Sequence, residues 1–410
     1  MNNMNKPIEI IFGINKGEIS KKIQRIENSI VGVDYKSPKK TDDGIIIEGM
    51  PIPNSEEKKP LTDRMAEFKI HGLCIAVIDN FEVEWAKSYG VINIHKENSI
   101  TLETIFQAAS ITKVIMSMMA LHLVEKKLLN LDEPVNNKLK DWKIPDSEFT
   151  KEKEITLRYL LSHTSGINPP DGGFGREEGS SPTIIQTLKG ELPAKNHSVK
   201  VMFEPGSKHS YSNFGFIIIE KLLEDVTGKR LNDIANEIIF EPLGMSNSFL
   251  LFPSKEIQKR MVNPHDATGK DYEPHIGLSP QVFGCGGLLT TPLDLTKILI
   301  EIMNAFQGKS NKILSTPMVK EMLTRVVPLD PLKMWGLTGQ GLGVFLSEWN
   351  DTFFLDHKGS NYPGSSGVMM ANPKSGQGVV IMANGVNGHE LFESIKFTVA
   401  QEYGWPVWSN

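Results

Sequence analysis

The chain contains little cysteine and no excess of either charge. Its two cysteines among 410 residues exclude a disulfide-rich scaffold. Cys74 lies in an apolar segment and Cys285 in a glycine cluster, so both are expected to be buried free thiols. Lysine and arginine total 44 against 49 acidic residues, and the net charge of −5 indicates neither a nucleic-acid nor a membrane partner.

Long apolar runs and export signals are also missing. No run of about 18 apolar residues occurs, so no transmembrane helix is expected. The apolar stretch at residues 7–14 is short, contains Glu9 and is followed at once by charged residues, unlike an export signal. These features predict a cytoplasmic protein.

Two common hydrolase motifs do not occur. The sequence has no H-E-x-x-H and no G-x-S-x-G string, which argues against a zinc protease and an α/β-hydrolase. His265, Asp266 and His275 lack a second paired ligand at metal spacing, so no metal site is predicted. The glycine-rich stretch at residues 171–182 follows no strand and lacks Gly-Lys-Ser, and no cofactor is expected.

The most informative motif is Ser110-Ile111-Thr112-Lys113, which opens an apolar stretch that predicts a buried helix over residues 111–129. A lysine three residues after a serine lies one helical turn away on the same face. A lysine in a buried helix must be paired or neutral, and a neutral amine can take a proton from a serine hydroxyl. The motif alone is also compatible with a serine that merely caps the helix.

Two later segments offer groups that complement a reactive serine. Tyr211-Ser212-Asn213 supplies a phenol that can relay a proton and an amide that can orient a carbonyl; its structural alternative is an Asn N-cap. His357-Lys358-Gly359-Ser360 reads as a strand end at which glycine admits a substrate backbone. Its alternative is a solvated histidine at an ordinary strand end.

The order S-x-x-K, Y-x-N and K/H-x-G resembles that of the penicillin-recognising serine enzymes. The surrounding sequence resembles their class C branch, which includes class C β-lactamases, D-Ala-D-Ala carboxypeptidases, D-aminopeptidases and β-lactamase-like esterases. The resemblance extends over residues 60–400, in stretches that include TIFQAASITK, ITLRYLLSHTSGI, FEPGSKHSYSNFGF and GCGGLLTTPLDLTKIL.

This resemblance implies a role for each motif residue. Ser110 is the acyl-accepting nucleophile, Lys113 its proton partner, and Tyr211 the residue that passes the proton to the leaving group. Asn213 binds the acyl-side amide, and His357 takes the place of the third motif's cationic residue. Gly359 gives access to the strand, and the N–H groups of Ser110 and Ser360 form the oxyanion hole.

One departure from the class C pattern concerns the third motif. Class C β-lactamases usually carry Lys-Thr-Gly there, whereas this chain has His357-Lys358-Gly359. A histidine at this position looks more like the carboxypeptidase and aminopeptidase members, so efficient β-lactam hydrolysis is not expected.

Periodicity and the resemblance together predict an α+β fold of the β-lactamase/transpeptidase type. An antiparallel sheet flanked by helices is expected from residues 59–108 and 335–410, with a mostly helical subdomain at 109–334 inserted between its strands. Strands are predicted at 73–78, 81–89, 342–346, 353–356, 366–371 and 378–383, and a closing helix at 390–402. The serine should lie in a groove whose walls come from loops 167–202 and 326–341.

The catalytic domain is predicted to span residues 59–410, and residues 1–58 form an N-terminal extension. The extension contains strand-like pieces at 8–12 and 44–48. It is interpreted either as a hairpin that covers part of the core or mediates homo-oligomer contacts, or as a loosely packed tail.

These features favour a serine hydrolase that forms an acyl-Ser110 intermediate on an ester, a small amide or a D-amino-acid peptide. One alternative is an acyltransferase in small-molecule biosynthesis. Another is a slowly acylating or non-catalytic sensor or scaffold resembling a penicillin-binding protein.

Overall fold

An antiparallel sheet of ten strands organises the fold. The computed structural model describes residues 7–40, 46–169, 174–349 and 352–406. Its strands are β1 (Ile8–Ile11), β2 (Ile30–Lys40), β3 (Ile46–Lys59), β4 (Gly72–Asp79), β5 (Glu82–Asn93), β6 (Lys96–Ser99), β7 (Phe106–Gln107), β8 (Leu289–Thr290), β9 (Val327–Pro328), β10 (Gly339–Gln340), β11 (Phe345–Trp349), β12 (Thr352–Asn361), β13 (Ser365–Asn372) and β14 (Gln377–Ala383).

The order of strands in the sheet is β1-β5-β4-β14-β13-β12-β11-β10-β9, and β6 pairs with β5 outside this path. The hairpin β4–β5 therefore lies directly beside the C-terminal strands, with Cys74 opposite Met382. The two ends of the catalytic region build one sheet, which confirms the predicted α+β architecture.

Most of the helices lie, in sequence, between the N-terminal strands up to β7 and the C-terminal strands from β9 onward. They are α1 (Lys16–Asn28), α2 (Leu61–Glu67), α3 (Thr112–Glu125), α4 (Leu157–Leu161), α5 (Ile184–Lys189), α6 (Asn213–Thr227), α7 (Leu231–Ala235), α8 (Glu241–Leu243), α9 (Lys255–Gln258), α10 (Pro292–Phe306), α11 (Thr316–Met322) and α12 (Gly388–Tyr403). Within the described ranges, none of them is long and apolar enough to cross a membrane.

Side-chain alternation along the central strands produces two apolar cores. On β4, Leu73 and Ile75 face a core shared with α1, α2 and α12. Cys74 and Ala76 face the larger core formed with the helical region. This is the period-two pattern of a strand that is buried on both faces.

The N-terminal extension packs on the sheet and on α12. Strand β1 pairs with β5 and is the last strand at this end of the sheet, placing Ile10 opposite Ala86. Helix α1, which the sequence analysis did not predict, places Ile23 in the core shared with α12. The strands β2 and β3 pair with each other, and the backbone N–H of Val31 donates to Thr398 of α12 at 3.0 Å. In the predicted strand at 44–48, residues 44 and 45 lie outside the described residues.

Some predicted boundaries were wrong. The strand predicted at 342–346 begins only at Phe345, because Gly343 has a left-handed φ of 76° and lies against α3. A Cβ at position 343 would lie 1.7 Å from Ser117 Oγ, so only glycine fits there. Helix α7 continues directly into a π-helical turn, Asn236–Phe240.

Candidate active site

Ser110 lies in a short 3₁₀ turn, Ala109–Ile111, between β7 and α3. The turn is anchored to the start of β8: the N–H of Ala108 donates to the carbonyl of Leu288 at 2.8 Å. The hydroxyl of Thr112 accepts from the N–H of Leu288 at 3.0 Å and donates to the carbonyl of Ala109 at 2.6 Å. The serine is therefore held on a rigid support at the entrance to the buried helix.

Lys113 is fully buried, and its side-chain nitrogen is directed at the serine. Its Nζ donates to Ser110 Oγ at 3.1 Å and to the carbonyl oxygen of Cys285 at 2.6 Å. It also lies 4.9 Å from the ring centroid of Tyr211 and 5.5 Å from that of Phe216. These contacts are two neutral oxygen acceptors and two aromatic faces.

The Tyr211–Asn213 segment meets Ser110 from the helical side. Ser212, and not Asn213, is the N-cap residue of α6, and its hydroxyl accepts from the N–H of Gly215 at 3.4 Å. Because Ser212 caps the helix, the side chains of its two neighbours, Tyr211 and Asn213, are free to line the groove. The Oδ1 atom of Asn213 is buried without a hydrogen-bond partner, so it is an acceptor that a substrate N–H could satisfy.

His163, which directly follows the C-cap of α4, supports Tyr211, a role that no local sequence motif indicated. The two rings lie 4.2 Å apart between centroids, and His163 Nδ1 accepts from the N–H of Ser212 at 3.2 Å. Burial, and then the charge of Lys113, hold the pKa of this imidazole well below its usual range. It is therefore a neutral packing surface for the tyrosine.

The third motif lies on β12 and closes the groove from the sheet side. Gly359 and Ser360 are paired with Gly367 and Ser366 of β13. A Cβ at position 359 would lie 2.2 Å from the carbonyl oxygen of Ala108 and 3.1 Å from the backbone nitrogen of Ser110. Glycine is thus what allows the strand to pass directly beside the turn that carries the serine.

His357 is buried in the groove and is not a cation near neutral pH. Burial, and then the nearby charge of Lys113, lower the pKa of its imidazole to about 3. Its Nδ1 lies 2.8 Å from the carbonyl of Lys358, and the neutral ring donates its proton there. The cation next to it in sequence, Lys358, is paired at 2.5 Å with Glu393 of α12.

Glu220 of α6 holds the backbone that receives Lys113, and nothing in its local sequence identified it. Its Oε2 accepts from the N–H groups of Phe283 and Gly284 at 3.0 and 2.7 Å, two and one residues before Cys285. Its side chain is almost fully buried, and this burial raises the pKa of its carboxyl group to about 8. Cys285 is itself half-buried, whereas Cys74 is buried as predicted, and both are free thiols.

Two cavities meet at Ser110. A cavity of about 420 Å³ is lined by Ser110, Arg176, Asn213, Ser279, Ser360 and Asn361, among others. A second, of about 360 Å³, is lined by Ser110, Tyr211, Met334, Trp335, Leu337, Phe345, His357 and Lys358. Both loops predicted as groove walls contribute, through Arg176 and Trp335.

All seven predicted site residues belong to this region. Ser110, Tyr211, Asn213, His357 and Ser360 line one or both cavities. Lys113 lies beneath the serine, and Gly359 lies against its turn. Within the described part of the chain, no cluster of three or more His, Cys, Asp or Glu residues has the arrangement of a metal site.

This fold, with a serine and a lysine at a groove between sheet and helices, defines a protein of the serine β-lactamase and penicillin-binding class. The model of the family described as Beta-lactamase matches residues 59–403, and the chain belongs to that family.

Its relatives include hydrolases. The chain is 27% identical over 253 residues to an unguisins hydrolase of Aspergillus campestris, covering 59% of this chain and 45% of that protein. It is 25% identical over 328 residues to the teichoic acid D-alanine hydrolase of Staphylococcus aureus, covering 75% of this chain and 76% of the relative. The chain thus spans less than half of the first of these proteins and about three quarters of the second.

Among solved structures, the fold is similar to that of the octameric penicillin-binding protein homologue from Pyrococcus abyssi. The TM-score is 0.70 at 25% sequence identity, and the match covers 84% of this chain and 76% of that one.

Proposed function

We propose that this protein is a serine hydrolase that cleaves an ester, a small amide or a D-amino-acid peptide through an acyl-Ser110 intermediate. The observation that carries the proposal is the 3.1 Å contact between Lys113 Nζ and Ser110 Oγ at the junction of two cavities. A buried amine this close to a hydroxyl can take its proton as the oxygen attacks.

Acylation transfers one proton and exchanges one bond. In its neutral form, Lys113 accepts the hydroxyl proton while Ser110 Oγ bonds to the substrate carbonyl carbon, and the N–H groups of Ser110 and Ser360 bind the resulting oxyanion. As the bond to the leaving oxygen or nitrogen breaks, Tyr211 gives its phenolic proton to that atom and takes the proton held by Lys113 in return. The products of this step are a free alcohol or amine and acyl-Ser110.

Deacylation reverses the proton path. Water loses a proton toward Tyr211 and Lys113 and attacks the acyl carbon, and the Ser110 oxygen leaves with that proton. The free acid departs, and the enzyme returns to its starting state. Asn213 binds the acyl-side amide, and neutral His357 with Gly359 lines the strand along which the substrate lies.

Intact-protein mass spectrometry tests the nucleophile. Wild type should gain one fluorophosphonate adduct and turn over p-nitrophenyl esters, and Ser110→Ala should do neither. Lys113→Ala should lower turnover by about 10²–10⁴-fold, the range expected for loss of a general base. Lys126→Ala, an exposed lysine at the C-terminal end of the same helix, is the control and should remain within twofold of wild type. An unchanged rate in Ser110→Ala would end the proposal.

The same preparation separates hydrolysis from the two alternatives. With added alcohols or amines, an acyltransferase should form more transfer product than free acid. A sensor should be labelled stoichiometrically without turnover. A hydrolase should release mainly the acid at every acceptor concentration.

We also propose that residues 1–58 form an extension to a catalytic domain at 59–410 and contribute to homo-oligomer contacts. An octameric relative of the same fold supports this proposal. Light scattering coupled to size exclusion measures the mass of the full chain. A monomer at all concentrations, or an oligomer that survives disruption of the β2–β3 hairpin surface, would contradict it.

A further inference from the structure

The two cavities that meet at Ser110 differ in chemical character. Among the residues that the structure describes, Ser110 alone lines both of them. Of those same residues, Arg176 is the only charged one along the first cavity, whereas four apolar side chains dominate the second. A substrate carbonyl positioned at Ser110 therefore has one substituent on each side of the serine.

The first cavity presents an available cation. The Nη1 of Arg176 donates to the carbonyl of Leu278 at 3.5 Å, which orients the guanidinium along the cavity wall. Within the described ranges, no acidic side chain lines this cavity, and Arg176 has no carboxylate within ion-pair distance. A guanidinium carries five N–H donors arranged to match a carboxylate, so most of its donors are left for a ligand.

The second cavity has no available charge. Met334, Trp335, Leu337 and Phe345 form its apolar walls. The ammonium group of Lys358 is paired with Glu393, and the imidazole of His357 is neutral because burial lowers its pKa. About 360 Å³ is enough for an aromatic or branched aliphatic group but offers nothing to an anion.

The proton path assigns the two substituents to the two cavities. The leaving atom must receive its proton from Tyr211, which lines the apolar cavity. The unpaired acceptor of Asn213 lines the other cavity, where it can bind an N–H of the acyl part. The leaving group consequently lies on the apolar side, and the acyl group lies on the side of Arg176.

We propose, building on the acyl-serine function above, that the protein selects substrates whose acyl part carries a carboxylate and whose leaving group is apolar. Arg176 binds the carboxylate, and Trp335 packs against the leaving group. Arg176 and Trp335 are thus specificity-determining residues on opposite sides of the serine.

Matched esters test the acyl side. Mono-p-nitrophenyl esters of six- to eight-carbon dicarboxylic acids are compared with p-nitrophenyl esters of the monocarboxylic acids of equal length, each corrected for its rate without enzyme. Wild type should favour at least one half-ester by about 10- to 100-fold in kcat/KM, the range of a charge-assisted hydrogen bond. Arg176→Gln should reduce this ratio to near one, and Arg176→Lys should retain part of it.

The leaving-group side is tested with benzyl and methyl half-esters, whose alcohols have similar acidity. Wild type should prefer the benzyl ester by about tenfold in kcat/KM, and Trp335→Ala should lower kcat/KM more for the benzyl than for the methyl ester, so that the preference is lost. A carboxylate placed on the alcohol should lower kcat/KM.

The outcomes distinguish this inference from the proposed function. No Ser110-dependent hydrolysis of any ester would remove both. Equal hydrolysis of the half-esters and the neutral esters, still lost in Ser110→Ala, would leave the serine hydrolase standing and overturn the carboxylate selectivity. A half-ester preference that persists in Arg176→Gln, or a preference for the carboxylate on the alcohol, would also overturn it.

Discussion

The Nζ atom of Lys113 lies closer to the carbonyl oxygen of Cys285, at 2.6 Å, than to the hydroxyl oxygen of Ser110, at 3.1 Å. The position of the amine therefore depends on a backbone turn as much as on the serine. The backbone turn at residues 283–285 is held by Glu220, whose carboxyl group accepts hydrogen bonds from the N–H groups of Phe283 and Gly284. Glu220 acts on the serine through these contacts as a positioning residue.

Glu220→Ala should lower kcat by about tenfold or more while KM changes little, because the turn that holds Lys113 loses its acceptor and shifts. The N–H groups of Phe283 and Gly284 are then left without a partner, and a buried donor left unsatisfied costs about 1–3 kcal/mol. Steady-state kinetics with one ester measures the split between kcat and KM. Glu224→Ala, one turn further along α6 and bonded to the N–H of Leu231, is the matched control. Equal kinetics for the two variants would show that the turn does not need Glu220.

His357→Gln should change how stability depends on pH. The folded state lowers the pKa of His357 from its ordinary 6.5 to about 3, so folding favours the neutral ring. Its contribution is fully present above pH 6.5 and is lost as the pH falls toward 3, at about 1.4 kcal/mol per pH unit at most. Chemical denaturation at pH 7.5 and at pH 5 should show a smaller loss for the variant than for wild type. Identical losses would mean that His357 is not the titrating group.

Gly359→Ala should lower the rate of ester turnover by more than about 100-fold. A methyl group would lie 2.2 Å from the carbonyl oxygen of Ala108, so β12 and the serine turn must separate, and a displacement of about 1 Å in a reactive group costs this much. Gly367→Ala on β13, directly opposite in register, is the control: its nearest contact is the flexible side chain of Ile111 at 3.2 Å. Similar ester turnover in both variants would contradict the close approach.

Ile23→Ala should destabilise the whole protein, although residue 23 lies outside the region matched by the family model. Ile23 is 1% exposed in the core beneath α12, and truncating a buried isoleucine costs about 2–5 kcal/mol. Ile14→Ala, in the same segment but fully exposed, should stay within about 0.5 kcal/mol of wild type. Urea unfolding measures both. A neutral result for Ile23→Ala would support a loosely attached extension.

The sequence predicted the parts of the fold and site that depend on short-range patterns. Strand β4 is apolar from Leu73 to Ile78, and S-x-x-K places Ser110 and Lys113 one turn apart. Contacts made across long separations were not predictable in this way. Any residue type at position 285 could supply the backbone carbonyl that binds Lys113, so the sequence does not reveal this contact. The sequence around Glu220 likewise does not distinguish it from other polar residues on a helix.

The N-terminal extension was the part least accessible to pattern reading. The isoleucines of α1 at 19, 23 and 26 follow helical spacing, but the surrounding lysines and glutamates resemble those of a polar linker. Residues 35–40 read as a polar stretch, yet they belong to β2, whose partner is β3 of the same extension and not a strand of the main sheet.

Strands β4 and β14 are neighbours in the sheet but far apart in sequence, so they are synthesised at different times. Ser110 and Lys113 are synthesised well before Gly359 and before β14, which borders β4 on the side opposite β5. Until β12 and β14 have been made, β4 is paired only with β5 and the groove has only one wall. A nascent chain therefore carries its nucleophile through a long part of its synthesis without a place to bind a substrate, and reactivity should arise only after β12 and β14 have been made.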